Sequence, residues 1–336
     1  MFLRGIEFGN VFNASGARGF FGEGYPFHRY WKKFGLDFSG STFISKTTTL
    51  NPRLDPSKKE GNMPLKKDGI TPQEFNPECI YVGYRGFVKG FVLNAVGLSG
   101  PGAKALLADG RWQLRREPFL ISFMSVANSA AERLMELKEF IELLKRYKAA
   151  FKSRFGLEIN FSCPNVGLHL DELMDEVDKA LLIASELDVP LVAKFNLLLS
   201  SEQAWQIAAH PLCDAIDISN TVPWGQLGDR INWKGLFGTT DSPLAKFGGG
   251  GLSGAPLLPL VCNWITKTVN RHGVRGITKP IIAGGGILGP HDPKLLFEAG
   301  ASAVSAGSIA ILRPWRVHRT IQAARRYVPD KTRSKE

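Results

Sequence analysis

The sequence predicts an α/β fold, a (β/α)8 TIM barrel with long excursions capping its C-terminal face, on three observations. From about residue 119 onward, short apolar or β-branched runs alternate with longer amphipathic segments, the rhythm of βα units. The chain's 336 residues suit one such barrel carrying insertions. Two stretches, residues 47–118 and 220–254, are rich in Gly, Pro and Asn and too long for ordinary βα loops.

In chain order, strands are expected at Val11–Ser15 and Thr42–Lys46. Six more follow at Phe119–Phe123, Leu157–Phe161, Leu191–Phe195, Ala215–Ser219, Pro280–Ala283 and Ala303–Ala306, which completes the eight that a closed barrel needs. Helices are expected over Ala130–Phe155, Asp171–Leu187 and Pro256–Val269, where apolar residues recur at three-to-four spacing. No repeat of 20 to 50 residues is evident, so residues 1–336 read as one barrel domain. Both excursions leave the C-terminal ends of strands, where barrel enzymes build their sites, and so read as a cap over the site.

Hydrophobic residues make up 44% and charged residues 22% of the chain, enough apolar surface for a sizeable core and unlike a disordered chain. The formal charge of +11 raises the question of an anionic partner. Much of it is terminal: Arg313, Arg316, Arg319, Arg325 and Arg326 at helical spacing, then Lys331, Arg333 and Lys335. That pattern reads as a solvated face and a tail. The basic residues do not cluster with the site motifs below and aromatic interleaving is slight, so no nucleic-acid partner is expected.

Cys79, Cys163, Cys213 and Cys262 form no C-x-x-C pair, which argues against structural zinc, an iron–sulfur cluster in this chain or a disulfide framework. No metal site is expected, and a reducing, cytoplasmic setting fits. Met1 to Gly5 lead into polar residues without an apolar signal region, and no run of 18 apolar residues suggests a membrane span.

The most informative string is Glu158-Ile159-Asn160-Phe161-Ser162-Cys163-Pro164-Asn165, an apolar strand ending in two carboxamides that bracket a thiol. Each carboxamide can donate and accept, as recognition of a cyclic imide or ureide requires. The thiol could act as a base once ionised. Taken alone, however, the string reads more readily as a small buried hydrophobe beside turn-capping asparagines.

The string has company. Asn13-Ala14-Ser15-Gly16, Ser45-Lys46-Thr47, Asn94-x-x-Gly97-Leu98, Lys194, Ser219-Asn220-Thr221, Gly250-Gly251-Leu252-Ser253-Gly254, Gly284-Gly285-Gly286-Ile287 and Ala306-Gly307-Ser308 accompany it. In this order the motifs resemble the dihydroorotate dehydrogenase family along almost the whole chain. The resemblance implies an FMN-dependent oxidoreductase that oxidises dihydroorotate to orotate in pyrimidine biosynthesis. Cys163 falls on the family's base, taking the C5 proton while hydride leaves C6 for flavin N5.

By the same resemblance, Lys46, Asn94, Asn160, Asn165, Asn220 and Thr221 fall on substrate contacts. Ala14, Ser15, Gly16, Lys46, Asn160, Ser219 and Gly254 fall on FMN contacts. Lys194 matches the lysine at the flavin N1 and O2 edge, where a cation stabilises the charge that collects on reduction. Lys194→Ala is therefore expected to weaken flavin reduction more than folding. Gly285, Gly286, Gly307 and Ser308 would offer backbone N–H groups and a hydroxyl to the FMN phosphate near the start of a terminal helix. The resemblance also implies a homodimer.

Some segments depart from the family's pattern. Asn51-Pro52-Arg53 and Gly61-Asn62-Met63-Pro64 replace the usual Gly-Asn-Pro-x-Pro-Arg, Ser99-Gly100-Pro101 follows Asn94 unusually, and Pro223 to Lys246, with Trp224 and Trp233, looks unlike the common forms. Cys163 as base resembles the soluble class, whereas Thr221 and Gly251 to Gly254 lean toward the quinone-linked class. The acceptor is left open among fumarate, a quinone, and a nicotinamide cofactor reached through a separate flavin and iron–sulfur subunit. Alternative readings are oxidation of another dihydropyrimidine such as dihydrouracil, reduction of uridine in RNA, or a catalytically idle FMN-binding barrel.

Overall fold

The computed structural model describes residues 1–55, 57, 60–85, 89–161, 170–274 and 279–327. Seven parallel strands, Val11–Asn13, Phe119–Phe123, Phe155–Asn160, Leu191–Phe195, Ala215–Ile218, Ile281–Gly284 and Ala303–Ala306, form one sheet. Its last strand pairs with its first, Ala306 lying opposite Asn13. The remaining gap, between Val11–Asn13 and Phe119–Phe123, is filled by the segment from Thr42 to Thr48. Phe12 bridges Thr42 on one side, and Ile44 and Thr48 bridge Leu120 and Phe123 on the other, all parallel. Thr42 N donates to Val11 O at 2.8 Å and Leu120 N to Phe43 O at 2.9 Å, so the sheet closes into the eight-stranded barrel expected.

Alternate residues of these strands serve two separate cores, as the two-residue strand period dictates. Phe12, Ile44, Leu120, Val192, Ala215, Ile282 and Ala303 point inward and pack with Leu3, Ile6 and Phe8. The short hairpin Phe2–Leu3 and Ile6–Glu7 thereby plugs the lower end of the barrel. Their neighbours, among them Val11, Ile121, Leu157, Leu191, Ile216 and Val304, face outward onto the helices.

The helices begin where local chemistry starts them. Ser129 and Glu132 form a reciprocal cap on Ala130–Tyr147, and Ser200 and Gln203 do the same for Ser201–Ala209. The helix expected over Ala130–Phe155 stops earlier, at Tyr147, with a short turn at Lys148–Ala150 and a strand from Phe155. Phe151 and Phe155 keep four-residue spacing, which imitates a continuing helix. Their rings instead lie 4.5 Å apart and both pack on Phe119 of the next strand. Leu170–Ser185 and Leu258–Val274 occupy the other two expected helices with shifted ends. In the helix Val317–Arg326, Arg319, Arg325 and Arg326 are exposed opposite buried Val317, Thr320, Ile321 and Ala324, the solvated basic face expected. Lys331, Arg333 and Lys335 lie outside the described residues.

The two excursions are knitted together. Val222–Pro223 and Gly251–Gly254 from the second pair with Lys89–Asn94 and Ile80–Arg85 from the first in one four-stranded antiparallel sheet. Trp224, Trp233 and Phe237 form a ring cluster against it, with Phe237 4.9 Å from Phe91, and Trp233 Nε1 donates to Gln226 O at 2.9 Å. The unusual tryptophan segment is thus the core of the cap. Trp233→Ala should lower global stability by about 3–5 kcal/mol, as for other buried tryptophans. Urea unfolding checks this, and an unchanged midpoint would show that the ring cluster unfolds independently of the barrel.

Candidate active site

One layer above the apolar plug, the inward positions become polar. Ser122, Glu158, Lys194, Asp217 and Ser305 are all buried, with Glu158 and Asp217 at 0% exposure and Lys194 at 2%. Strand register puts Ser122 opposite Glu158 and Lys194 opposite Asp217. A line of hydrogen bonds crosses the barrel wall here. Ser15 Oγ and Thr47 Oγ1 are 2.7 Å apart, Thr47 Oγ1 and Ser122 Oγ 2.9 Å, and Ser122 Oγ donates to Glu158 Oε1 at 2.7 Å. Lys194 Nζ donates to the same Oε1 at 3.0 Å and stands 4.0 Å from Asp217 Oδ2.

Burial alone would strip the Lys194 proton, but Glu158 and Asp217 outweigh it, and the ammonium is held above the ordinary lysine range. Asp217 moves the other way from a common carboxylate. Burial pushes its carboxyl well up, Lys194 opposes the shift and Glu158 adds to it.

Lys46 has a different setting. Its Nζ donates to Ser99 O and lies 4.5 Å from the Phe20 ring centre, and among the described residues no carboxylate forms an ion pair with it. Desolvation lowers its pKa to about 7, against a weaker opposing pull from Glu23. We therefore expect lysine-selective NMR to find one side chain titrating near pH 7 and missing in Lys46→Met, while Lys194 stays protonated throughout. A Lys46 signal that titrates only near pH 10 would contradict this assignment.

At the upper rim, Asn220 Nδ2 donates to Asn160 Oδ1 at 2.7 Å, and Asn160 is the register partner of Lys194. Thr221, next in the chain, lies over Gly251, so closely that a Cβ there would stand 2.1 Å from Thr221 Oγ1. Asn94 pairs with that same Gly251 in the cap sheet and its Nδ2 reaches Gly251 O at 3.4 Å. Barrel rim and cap thus bring Asn94, Asn160, Asn220 and Thr221 into one continuous group. Cys163 and Asn165 lie outside the described residues, in the segment that follows Phe161.

The loops expected to hold phosphate also meet. Ala14 N donates to Ala306 O at 2.9 Å, and a Cβ on Gly307 would come within 2.9 Å of Ala14 Cβ, so the first and eighth strand ends touch. Gly286, at φ 81°, lies against Leu258, where a side chain would be 2.7 Å from the Leu258 backbone nitrogen. Among the described residues, no acceptor receives the backbone N–H of Gly285, Gly286, Gly307 or Ser308. The helix after Ser308 is only Ile309–Leu312, and the terminal helix starts later, at Val317, so the terminal-helix dipole expected there is replaced by a short turn. Ser219 and Gly254 sit beside these loops, Ser219 Cβ against Gly284 and Gly254 paired with Phe91. Above Gly16, at φ 88°, the space is open.

These unclaimed amides and the Lys194 ammonium form a donor set whose chemistry fits FMN, an anion cradle and a cation for the ring edge. Sequence reasoning passed over Glu158, Asp217, Ser122 and Thr47 as site residues. A signal for the two acids existed, since each is a charge inside an otherwise apolar strand and Asp217 stands in register with Lys194.

Comparison with known proteins bears on this geometry. The family model described as Dihydroorotate dehydrogenase matches residues 3–324. A protein of Lacticaseibacillus paracasei named Dihydroorotate dehydrogenase A (fumarate) is 30% identical over 304 residues, 88% of this chain and 86% of its own. The catalytic subunit of Dihydroorotate dehydrogenase B (NAD(+)) of Anoxybacillus flavithermus is 30% identical over 326 residues, 93% of this chain and 85% of its own. The crystal structure of ligand-free DHODH from Eimeria tenella superposes with a TM-score of 0.64 at 18% identity, covering 96% of this chain and 85% of that one, which shows the shared fold.

Proposed function

The chain belongs to the dihydroorotate dehydrogenase family, and from that premise we infer that it oxidises dihydroorotate to orotate, removing two hydrogens across a CH–CH bond. The observation that carries this reading is the group Asn94, Asn160, Asn220 and Thr221 assembled from barrel rim and cap above the Lys194 ammonium. Such amides and a hydroxyl suit the N–H and C=O edges of a dihydropyrimidine ring. FMN, when bound, supplies the acceptor for the hydride. Lys194 would face its N1 and O2 edge, while Gly285, Gly286, Gly307 and Ser308 would hold its phosphate. Ala14, Ser15, Gly16, Ser219 and Gly254 would line the rest.

Cys163 follows Asn160 by three positions and is the base in this reading, with Asn165 on the substrate. Lys46 closes the site from the second strand. The chain acts as one barrel with the antiparallel sheet as its cap, in the cytoplasm, as a homodimer that sedimentation would detect. No described helix is long and apolar enough to cross a membrane. Relatives are named for fumarate and for NAD(+), and a panel of fumarate, quinone and nicotinamide acceptors identifies the one used here.

The test is anaerobic mixing of the yellow protein with dihydroorotate. Bleaching of the flavin absorbance, faster than with dihydrouracil, is the expected result. Colourless protein that takes up no FMN, or equal turnover of dihydrouracil, would refute it.

A further inference from the structure

One lysine faces two carboxylates in a buried layer of the barrel. Lys194 Nζ is 3.0 Å from Glu158 Oε1 and 4.0 Å from Asp217 Oδ2, and both acids are fully buried. Ser122 satisfies the same Glu158 oxygen as Lys194, whereas Asp217 has the Ser219 hydroxyl and the Glu158 carboxyl as its near neighbours, and Glu158 Oε2 and both Asp217 oxygens make no well-formed hydrogen bond among the described residues. Two ionised carboxylates against one ammonium would bury a net negative charge, which a low-dielectric interior tolerates poorly.

We propose that Glu158 and Asp217 hold one negative charge and one proton between them against Lys194, and that this interchangeable pair, acting through Lys194, sets the midpoint potential of the bound flavin. The cluster is then neutral. The direction in which Asp217 is driven by burial and by Glu158 agrees with a retained proton. Either acid can serve as counter-ion to Lys194, because the proton moves to whichever is not needed, and the pair titrates as a unit. The flavin edge consequently meets an ion pair, whereas a free ammonium would favour the reduced, anionic ring far more strongly. Glu158 and Asp217 are positioning residues in this scheme, and the part concerning potential rests on the FMN reading above.

The experiment is a double-variant cycle on the flavin-loaded protein, reading the reduction equilibrium against a redox dye. In Glu158→Gln or Asp217→Asn the remaining acid ionises and takes over, so the equilibrium should move by less than about threefold. In the double variant nothing opposes the desolvation of Lys194, so its ammonium gives up the proton, and the equilibrium should move by about tenfold or more away from the reduced form, or about 30 mV for a two-electron couple. Infrared spectroscopy of the oxidised single variants supplies a second readout that survives if the double variant does not fold. The wild type should show a buried, protonated carboxylic acid at neutral pH, and each single variant should lose it.

Single-variant shifts that sum to the double shift, a double variant with the wild-type potential, or a wild type without the protonated-acid band would each overturn the proposal. The infrared band needs neither dihydroorotate nor turnover. Failure of the functional reading would show separately, as absent flavin or absent bleaching.

Discussion

Cys163→Ala is expected to retain FMN and bind orotate, yet to lose on the order of 10² to 10⁴ in the rate of flavin reduction by dihydroorotate, the usual worth of a positioned base. The physical ground is the pair of departures that the proposed reaction requires, a proton from C5 and a hydride from C6. The described strand ends at Asn160, which is held by Asn220 and lies in register with Lys194, and in the proposed reading these amides would hold the substrate and are left intact by the substitution. Only the proton's destination is removed. Cys163→Ser should fall between the two, since a hydroxyl keeps the position but ionises with more difficulty. Stopped-flow reduction over a pH series provides the check. The wild-type rate should rise with pH toward the ordinary thiol range near 8.5, and that rise should vanish in the alanine variant. Wild-type-like reduction by Cys163→Ala at every pH would send the proton elsewhere.

Lys194→Ala is expected to have the second largest effect, and on two quantities. Flavin reduction should slow because the cation at the ring edge is gone. The sequence led to the expectation that flavin reduction weakens more than folding, since little buried apolar area is removed. The structure adds a folding cost to that expectation, because Lys194 is the cation of a cluster holding Glu158 and Asp217 at 0% exposure. Removing one partner of such a buried pair costs about 3–5 kcal/mol. The sign of the pH dependence follows from the one negative charge that the Glu158–Asp217 pair keeps in the wild type, which without its cation is buried unpaired and is driven to take up a proton. A carboxyl with a raised folded pKa contributes stability that is present below the unfolded value, about 3.9, and lost as pH rises through the folded one. The deficit of Lys194→Ala relative to wild type should therefore shrink as pH falls toward 4 and be full at neutral pH. Urea unfolding at several pH values measures it, and a deficit independent of pH would mean that the buried acids are not what Lys194 neutralises.

Much of the barrel was legible because it rests on local pattern. Phe119–Phe123, Leu191–Phe195 and Ala303–Ala306 are strands over the expected residues, since short apolar runs bounded by polar turns have few other uses in a chain of this kind. Ser129 and Ser200 start their helices by contacts three residues long. Where a local pattern fitted two structures, the sequence misled. The spacing of Tyr147, Phe151 and Phe155 suits a helix as well as a ring stack on Phe119, and only the neighbouring strand decides between them.

By itself the sequence determined the barrel, the order of the site motifs and the rim amides, because strand period and motif spacing are properties of the chain. Tertiary structure alone decided the rest. Ile80–Arg85, Lys89–Asn94, Val222–Pro223 and Gly251–Gly254 become one cap sheet through pairings between distant segments, and that pairing places Asn94 and Thr221 on the same glycine. Glu158, Lys194 and Asp217 each look like a stray charge in an apolar strand. They become one neutral cluster only when parallel register sets three strands side by side, where the low dielectric of the barrel interior couples ionisations that would be independent in water.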